Sequence, residues 1–208
     1  DAYLPHKELQ QSLESLGYVC HVVDQFPSCH SGDIQHRNRF ILLAVKESSG
    51  DIDLLSFADT SPTPMLSALS EVDAVDSRLW LTESLERVDN PRIPELDRLG
   101  SDPRECNSFN TTARRIGKIA GSSGRKGYKV YSVNGSLPTT TSHANDVIND
   151  TRPCPANPHG KDRLRCLSVA EYSRCASMSK ETEDWLCSIS PDRAFSYLAG
   201  AIPRNMFH

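Results

Sequence analysis

The chain has 208 residues, of which 38% are apolar and 7% aromatic, and its formal net charge is −4. This length is enough for one ordinary domain or two small ones, and no apolar run approaches the roughly 18 residues that suggest a membrane span. The acidic balance excludes a protein that coats nucleic acid by overall charge alone.

Cysteine usage bounds the cellular compartment. The seven cysteines are an odd number without CxxC spacing, so neither a disulfide framework nor a zinc ribbon is indicated. The doublets Cys20-His21 and Cys29-His30 are nine residues apart, which fits no common ligand spacing, and we predict no metal site. We expect reduced thiols in an intracellular protein, with no membrane partner. The first residues carry no targeting pattern and are typical of the interior of a longer protein.

The first predicted element is a helix over residues 6–16. Leu9, Leu13 and Leu16 recur at i, i+4 and i+7, with polar residues elsewhere, and Gly17 is placed to end the helix.

Two apolar runs follow this helix. Residues 18–23 predict a short buried strand. Residues 40–45, Phe-Ile-Leu-Leu-Ala-Val, predict a central strand of a parallel sheet covered on both faces. Together with the helix they make an α/β fragment that is too small to close a sheet alone.

The middle of the chain, residues 47–128, has a different character, with many Ser, Asp, Pro and Gly residues and weak periodicity. Residues 51–105 carry 13 acidic residues against five arginines, whereas residues 111–130 carry six basic residues and no acidic one. Residues 70–87 predict a helix from the spacing of Val72, Val75 and Leu79. The pattern indicates a variable insert that ends in a basic stretch.

Helical signals return in the last fifty residues. Ser168 and Glu171 form a capping-box pattern ahead of an apolar face that contains Leu167, Ala170, Cys175 and Met178. Ser190-Pro191 predicts a further helix with proline at its first position. Its apolar face is Phe195, Leu198 and Ile202.

The sequence Gln35-His36-Arg37-Asn38-Arg39 stands directly before the second apolar run. Strand alternation places Gln35, Arg37 and Arg39 on one side. Two guanidinium groups in this arrangement suit bidentate contact with a phosphate or a base carbonyl. The alternative interpretation is a solvated strand edge.

Four segments in order resemble conserved blocks of the DNA cytosine-5 methyltransferases. Leu-Gly-Tyr, a β run and then Gln-x-Arg-x-Arg-Phe-Ile-Leu-Leu are similar to the eighth block, and residues 135–142 are similar to the ninth. Residues 165–178, Arg-x-Leu-Ser-x-x-Glu and then Arg, resemble the start of the tenth block. Residues 199–203, Ala-Gly-Ala-Ile-Pro, fall where the family has Gly-Asn-Ala-Val-Pro. The resemblance covers about residues 5–46 and 129–205.

This resemblance implies an α/β fold, the C-terminal fragment of a Rossmann-like sheet of an S-adenosylmethionine-dependent methyltransferase with an irregular recognition insert. Residues 1–46 would form late strands of the catalytic domain and residues 47–128 the target recognition insert. Residues 129–208 would form the returning segment and the C-terminal helices.

The chemistry that the resemblance implies is nucleophilic. A cysteine thiolate attacks C6 of a cytosine flipped out of duplex DNA, and C5 then takes the methyl group of S-adenosylmethionine. The resemblance assigns Arg39 to the cytosine, with Arg37 and Gln35 as phosphate or positioning groups. It places Gly200, Ala201 and Ile202 beside the cofactor. Expected DNA contacts are Arg125, Lys126, Thr139, Thr140 and Thr141.

Each of the later segments also has a purely structural interpretation. Leu167, Cys175 and Met178 are core packing first, and Glu171 is expected to act as a helix cap. The small residues 199–201 suit close helix packing as well as a cofactor. The Thr139 region suits a turn, and the Gly-rich basic stretch suits a solvated loop.

The departures from the family pattern limit what this chain can do alone. Ile34 stands where the family has proline, and Gly200 stands where it has asparagine. No Phe-x-Gly-x-Gly or Glu-Asn-Val occurs, and Cys154, although it follows Pro153, lies between the ninth and tenth blocks. We therefore expect the nucleophile to come from a missing N-terminal catalytic half, and the chain alone to be inactive. The alternatives are a non-catalytic DNA-binding or regulatory subunit and one chain of a split methyltransferase.

Overall fold

The computed structural model describes residues 5–28, 33–35, 37–46, 63–87, 115–122, 129–140 and 146–201. The strands in chain order are β1 (Val19–Pro27), β2 (Asn38–Val45), β3 (Leu85–Arg87), β4 (Arg115–Ile119), β5 (Lys129–Ser132), β6 (Val147–Asn149) and β7 (Leu164–Cys166). The α-helices are α1 (Pro5–Ser15), α2 (Val169–Cys175), α3 (Lys180–Ser188) and α4 (Pro191–Gly200). Short 3₁₀ turns are found at Met65–Ala68, Val72–Ala74 and Ser77–Leu79.

The strands form two sheets. Strands β1 and β2 pair antiparallel, and the other five form a mixed sheet in the order β3-β4-β5-β6-β7. Within this mixed sheet β5 and β6 are parallel and the remaining pairs are antiparallel. A parallel bridge between Gln35 and Leu137 connects the segment before β2 to the segment after β5.

Helix α1 confirms the first predicted element. Gly17 ends it with φ of 84°, a left-handed conformation that glycine adopts at little cost. The Gly17 amide donates to Glu14 O at 3.0 Å, and the Tyr18 amide donates to Leu13 O at 3.1 Å. The helix packs on β1 and β2, with the rings of His6 and Phe40 4.6 Å apart.

The prediction that residues 40–45 form a strand is confirmed. The predicted parallel pairing and the predicted burial of both faces are wrong. Strand β2 pairs antiparallel with β1, and none of residues 40–45 is buried. Strand alternation and the pairing place six side chains on the face opposite α1. We call this the open face: Val19, His21, Val23, Ile41, Leu43 and Val45. Within the described residues, α1 covers one face of this apolar strand pair, and no helix covers the open face.

The helix predicted within residues 70–87 is wrong. The segment instead forms the 3₁₀ turns Val72–Ala74 and Ser77–Leu79 and then strand β3. The Asp76 carboxylate accepts the Arg78 amide at 2.9 Å, a local side-chain bond that competes with continued helix.

The main core lies between the five-stranded sheet and helices α2 to α4. Its buried members are Met65, Ala68, Tyr131, Val133, Leu137, Ile148, Leu167, Tyr172, Cys175, Ala176, Leu186, Ala194 and Leu198. Met65 and Ala68 belong to residues 47–128, so part of the predicted insert packs in the main core. The boundaries predicted for the three domains stay predictions.

The capping box at the start of α2 is confirmed. The Ser168 hydroxyl accepts the Glu171 amide at 3.2 Å, and the Glu171 carboxylate accepts the Ser168 amide at 2.9 Å. Helix α4 likewise begins with Pro191 in its first turn, as the sequence predicts. Leu198 of its predicted apolar face is buried, and Ile202 lies outside the described residues.

A fully buried ion network joins the sheet to α2. The Arg165 guanidinium donates from Nε to Asp150 at 2.8 Å, and from Nη1 and Nη2 to the two oxygens of Glu171 at 2.8 Å each. All three side chains are 0% exposed. The Ser70 amide adds a bond to Glu171 at 2.9 Å, and Arg152 adds bonds to Asp150. Each buried charge therefore has opposite charges and hydrogen bonds around it.

This network predicts acid-sensitive stability. At Asp150, burial raises the pKa, but the hydrogen bonds from Arg152 and Arg165 outweigh burial and leave the pKa below its ordinary value. At Glu171, burial again raises the pKa, but the hydrogen bonds and charge of Arg165, together with the amides of Ser168 and Ser70, outweigh burial and leave the pKa below its ordinary value. Because both folded-state pKa values are lowered, the contribution to stability is complete above the unfolded carboxyl pKa of about 4 and is lost as the pH falls below it.

We therefore expect the urea concentration at the midpoint of unfolding to stay nearly constant between pH 7 and pH 5. It should fall as the pH is lowered toward 3 and the carboxylates of this network take up protons. A midpoint that stays constant down to pH 3 would contradict the assignment.

Five cysteines in the described part of the chain are free thiols: Cys20, Cys154, Cys166, Cys175 and Cys187. No cluster of three or more metal-ligating side chains occurs among the described residues. None of the helices in those residues is long and apolar enough to cross a membrane.

Candidate functional site

The segment that precedes β2 is held by backbone bonds from two directions. The Gln35 amide donates to Cys175 O, at the end of α2, at 3.0 Å. The Leu137 amide donates to Ile34 O at 2.9 Å. Residues 34 and 35 thus lie between the segment that contains Leu137 and the end of α2.

Ser28, directly after β1, binds the same segment through its hydroxyl and its backbone amide. Its hydroxyl donates to the Gln35 carbonyl and accepts the Arg37 amide at 3.0 Å. Its own amide donates to Arg37 O at 2.9 Å. Since Ser28 is 0% exposed, these bonds are shielded from water and fix the backbone on both sides of residue 36.

Gln35 is buried, and its side chain faces Thr140. The Nε2 group donates to the Thr140 hydroxyl, so two residues predicted separately from the sequence are in contact. Gln35 Oε1 is buried and has no hydrogen-bond partner among the described residues. Thr139, by contrast, is exposed.

Arg37 is also buried, with 8% of its surface exposed, and it binds the carboxyl end of α4. Its Nη1 donates to Leu198 O at 3.4 Å, and its Nη2 donates to Ala199 O. Burial, and then the neighbouring charge of Arg39, lower the pKa of Arg37 to about 10. A guanidinium suits this place because the last carbonyls of a helix carry partial negative charge. The sequence suggested a phosphate or positioning role for Arg37 and did not indicate this helix cap.

Arg39 lies one step further along the same side. Its Nη2 donates to Ala201 O at 3.1 Å, and burial lowers its pKa. The side chain is half-buried, and this is one bond for a group with five N–H donors. Arg37 and Arg39 therefore bind the end of α4 to the strand, and within the described residues the other N–H groups of Arg39 have no hydrogen-bond partner.

Residues 199–201, at the end of α4, lie beside Arg37 and Arg39 at the candidate site. A Cβ placed on Gly200 would meet no atom within 4 Å, so the space beside this glycine is open. Gly200 is exposed, and the assignment of residues 200 and 201 to a cofactor stays a prediction. Ile202, Thr141, Arg125 and Lys126, which the sequence also predicted as site residues, lie outside the described residues.

Comparisons with known proteins point to one fold. No family model and no curated protein sequence matches the chain. Among solved structures, the Entamoeba histolytica methyltransferase EhMeth matches with a TM-score of 0.60 and 9% identity, over 98% of this chain and 55% of that one. The S. pombe Dnmt2 methyltransferase matches with a TM-score of 0.61 and 11% identity, over 99% of this chain and 61% of that one.

A mutant of Spodoptera frugiperda DNMT2 also matches, with a TM-score of 0.56 and 11% identity, over 99% of this chain and 63% of that one. At such identities the likeness concerns the fold, and it confirms the predicted α/β class. The chain therefore has the Rossmann-like α/β fold of methyltransferases, over a stretch equivalent to 55–63% of the length of these three structures.

Proposed function

We propose that the chain is part of a DNA cytosine-5 methyltransferase, which transfers a methyl group from S-adenosylmethionine to C5 of a cytosine flipped out of duplex DNA. The observation that carries this proposal is the contact of Arg37 and Arg39 with residues 198–201. Two segments that resemble different blocks of one family, about 160 residues apart in sequence, are in hydrogen-bond contact at one site.

Arg39 is the residue of this chain that we assign to the reacting base. Attack of a thiolate at C6 pushes negative charge onto the cytosine ring, and a donor at the base carbonyl stabilises that charge as it develops. The half-buried guanidinium of Arg39 is held in place by Ala201 O, and its other N–H donors have no partner in the described part of the chain. A donor fixed before the reaction avoids reorganisation during it.

Gln35, Arg37 and Thr140 are positioning groups in this proposal. Arg37 holds the end of α4 against the strand, and Gln35 connects the strand to the ninth-block turn through Thr140. Their bonds lie in the buried interior, where they limit the motion of Arg39.

S-adenosylmethionine, when bound, supplies the methyl group. The chain's own contribution to that site is the open backbone at Gly200 and its neighbour Ala201, which Arg39 holds in place. The thiol and the remaining cofactor contacts are proposed to come from a complementing segment, in the same polypeptide or in a partner.

The open face of β1 and β2 is where we propose that this complementing segment docks. Its six side chains are apolar apart from His21, and Val19 and Leu43 are 43% and 37% exposed. The solved methyltransferases have 37–45% of their length outside the matched region, because the match covers 55–63% of them. An apolar face of this kind is stabilised when another layer covers it.

We expect Leu43→Asp to weaken association with the complementing half by at least about tenfold, because a carboxylate would be buried without a partner. Leu9→Asp is the matched control, since Leu9 is 53% exposed on α1, away from the open face, and its substitution should leave association unchanged. The dissociation constant of each variant is measured by calorimetric titration. Equal binding by both variants would show that the complementing half docks elsewhere.

The function itself is tested by transfer of labelled methyl groups from S-adenosylmethionine to duplex DNA. We expect no transfer by the chain alone and transfer when the complementing half is present. Transfer by the chain alone would contradict the division of the site between two segments. A complemented chain that binds DNA without transferring methyl groups would favour the regulatory-subunit alternative.

A further inference from the structure

Ser177 has a backbone conformation that serine rarely adopts. Its φ is 53°, the one positive value among the described residues other than glycine. It follows the C-cap of α2, where the Ser177 amide donates to Arg174 O and the Met178 amide donates to Ser173 O, both at 3.0 Å. Glycine is the usual residue at this place because it has no Cβ to strain the left-handed backbone.

The serine hydroxyl makes a contact that glycine could not make. Ser177 Oγ donates to Asp33 Oδ1 at 2.7 Å across 144 residues of sequence. Asp33 is 0% exposed, and it lies two residues before Gln35. The bond therefore joins the end of α2 to the start of the segment that carries Gln35, Arg37 and Arg39.

A second bond runs beside it from the same helix end. The Gln35 amide donates to Cys175 O, so α2 holds this segment at residue 33 through a side chain and at residue 35 through the backbone. A side-chain bond and a backbone bond from the same helix end restrict rotation of the segment more than the backbone bond does alone. The Leu137 amide and the Ser28 hydroxyl also hold this segment, at Ile34 and Gln35, and the Ser177 bond adds to them at Asp33, where the described segment begins.

We propose that Ser177 is a positioning residue, whose hydroxyl fixes the segment from Asp33 to Arg39 in the orientation that presents Arg39. The effect on methyl transfer rests on the proposed function, but the effect on the segment does not. The strained backbone at Ser177 is kept because its hydroxyl holds Asp33.

Three substitutions separate the hydroxyl from the backbone. Ser177→Gly removes the hydroxyl and relaxes the left-handed backbone, and Ser177→Ala removes the hydroxyl and keeps the strain. Ser177→Asn tolerates the left-handed backbone and retains a donor that can reach Asp33. Helix capping alone predicts that the glycine variant behaves as well as the wild type or better.

The readout is amide hydrogen exchange of Gln35 and Arg37 in the intact chain, with the Val130 amide of β5 as an internal reference. We expect exchange at Gln35 and Arg37 to be about five- to tenfold faster in the glycine and alanine variants, the size expected for removal of one buried hydrogen bond. Val130 should be unchanged in the glycine variant, and the asparagine variant should exchange as the wild type does.

Unchanged exchange at Gln35 and Arg37 in the glycine variant, or equal acceleration at Val130, would overturn the proposal. In the complemented enzyme, the glycine variant should show a lower kcat with the KM for DNA unchanged, and the asparagine variant should restore it. If the wild-type complemented enzyme transfers no methyl group, the proposed function fails, and the exchange result still decides the role of Ser177.

Discussion

Replacement of Arg165 by methionine is expected to destabilise the fold by about 3–5 kcal/mol, the cost typical of breaking a buried charge network by removing one partner. The substitution leaves the carboxylates of Asp150 and Glu171 buried without the guanidinium that neutralises both. Arg152 remains bonded to Asp150, so Glu171 is the carboxylate left without a charged partner among the described residues.

The matched control is Arg78→Met. Arg78 pairs with Asp76 at 2.6 Å, but its side chain is 87% exposed, so its removal should have no measurable effect on unfolding. The free energy of unfolding of both variants and the wild type is measured in urea at pH 7 and repeated near pH 4. The free-energy penalty of the Arg165 variant should shrink at the lower pH, because Glu171, left buried without its charged partner, takes up a proton readily. Equal stability of the two variants at pH 7 would show that the network contributes little.

The second large effect is expected at Arg39. In the complemented enzyme, Arg39→Ala should lower the methylation rate by about 10²–10³-fold and change affinity for the duplex much less. The donor acts on charge that is present mainly in the transition state, so its removal affects kcat. The measurement is the methyl transfer rate at saturating DNA, together with the dissociation constant for the same duplex. If rate and affinity fall in equal proportion, Arg39 is a phosphate anchor.

The contrasting variants for this experiment are Arg125→Ala and Lys126→Ala, in the predicted basic stretch. These are expected to weaken binding to all duplexes and to reduce the slope of log affinity against log salt by about 0.9 for each DNA phosphate that the variant no longer neutralises. Their kcat at saturating DNA should stay close to that of the wild type. A salt slope that is unchanged in both variants would exclude this stretch as a DNA-binding element.

Local rules account for the elements that the sequence predicted correctly. Three signals act on backbone groups within a few residues, and all three stand where the structure ends or begins a helix. Gly17 adopts the left-handed conformation that ends α1, the Ser168–Glu171 capping box pairs free amides at the start of α2, and Pro191 lacks the amide that would be unpaired at the start of α4. Their signals do not depend on how the chain folds over long distances.

The features that the sequence missed depend on distant partners. Glu171 has the pattern of a cap and also binds Arg165. Arg37 has the pattern of a strand-edge residue and caps α4, because residues 198 and 199 are brought to it. Met65 enters the core from a 3₁₀ turn, where no repeating spacing marks it as buried.

At the candidate site, the sequence indicated which segments carry the site residues, but the individual bonds between them did not follow from it. Gln35 and Thr140 are both predicted as site residues by the sequence, and nothing in their spacing indicates that they bond to each other. Ser177 stands out in the sequence only as part of a family-like block, since an unusual backbone angle leaves no mark in a serine. Such positions become visible when the backbone is known.

The measurement that tests the central claim most directly is identification of the methylated nucleoside. The complemented chain is incubated with labelled S-adenosylmethionine and, in separate reactions, duplex DNA and RNA, and the nucleic acid is digested to nucleosides. We expect the label in 5-methylcytosine of the DNA, absent or strongly reduced with Arg39→Ala. Label on another base or another cytosine atom, or on RNA alone, would contradict the proposal that this site acts on C5 of cytosine in DNA.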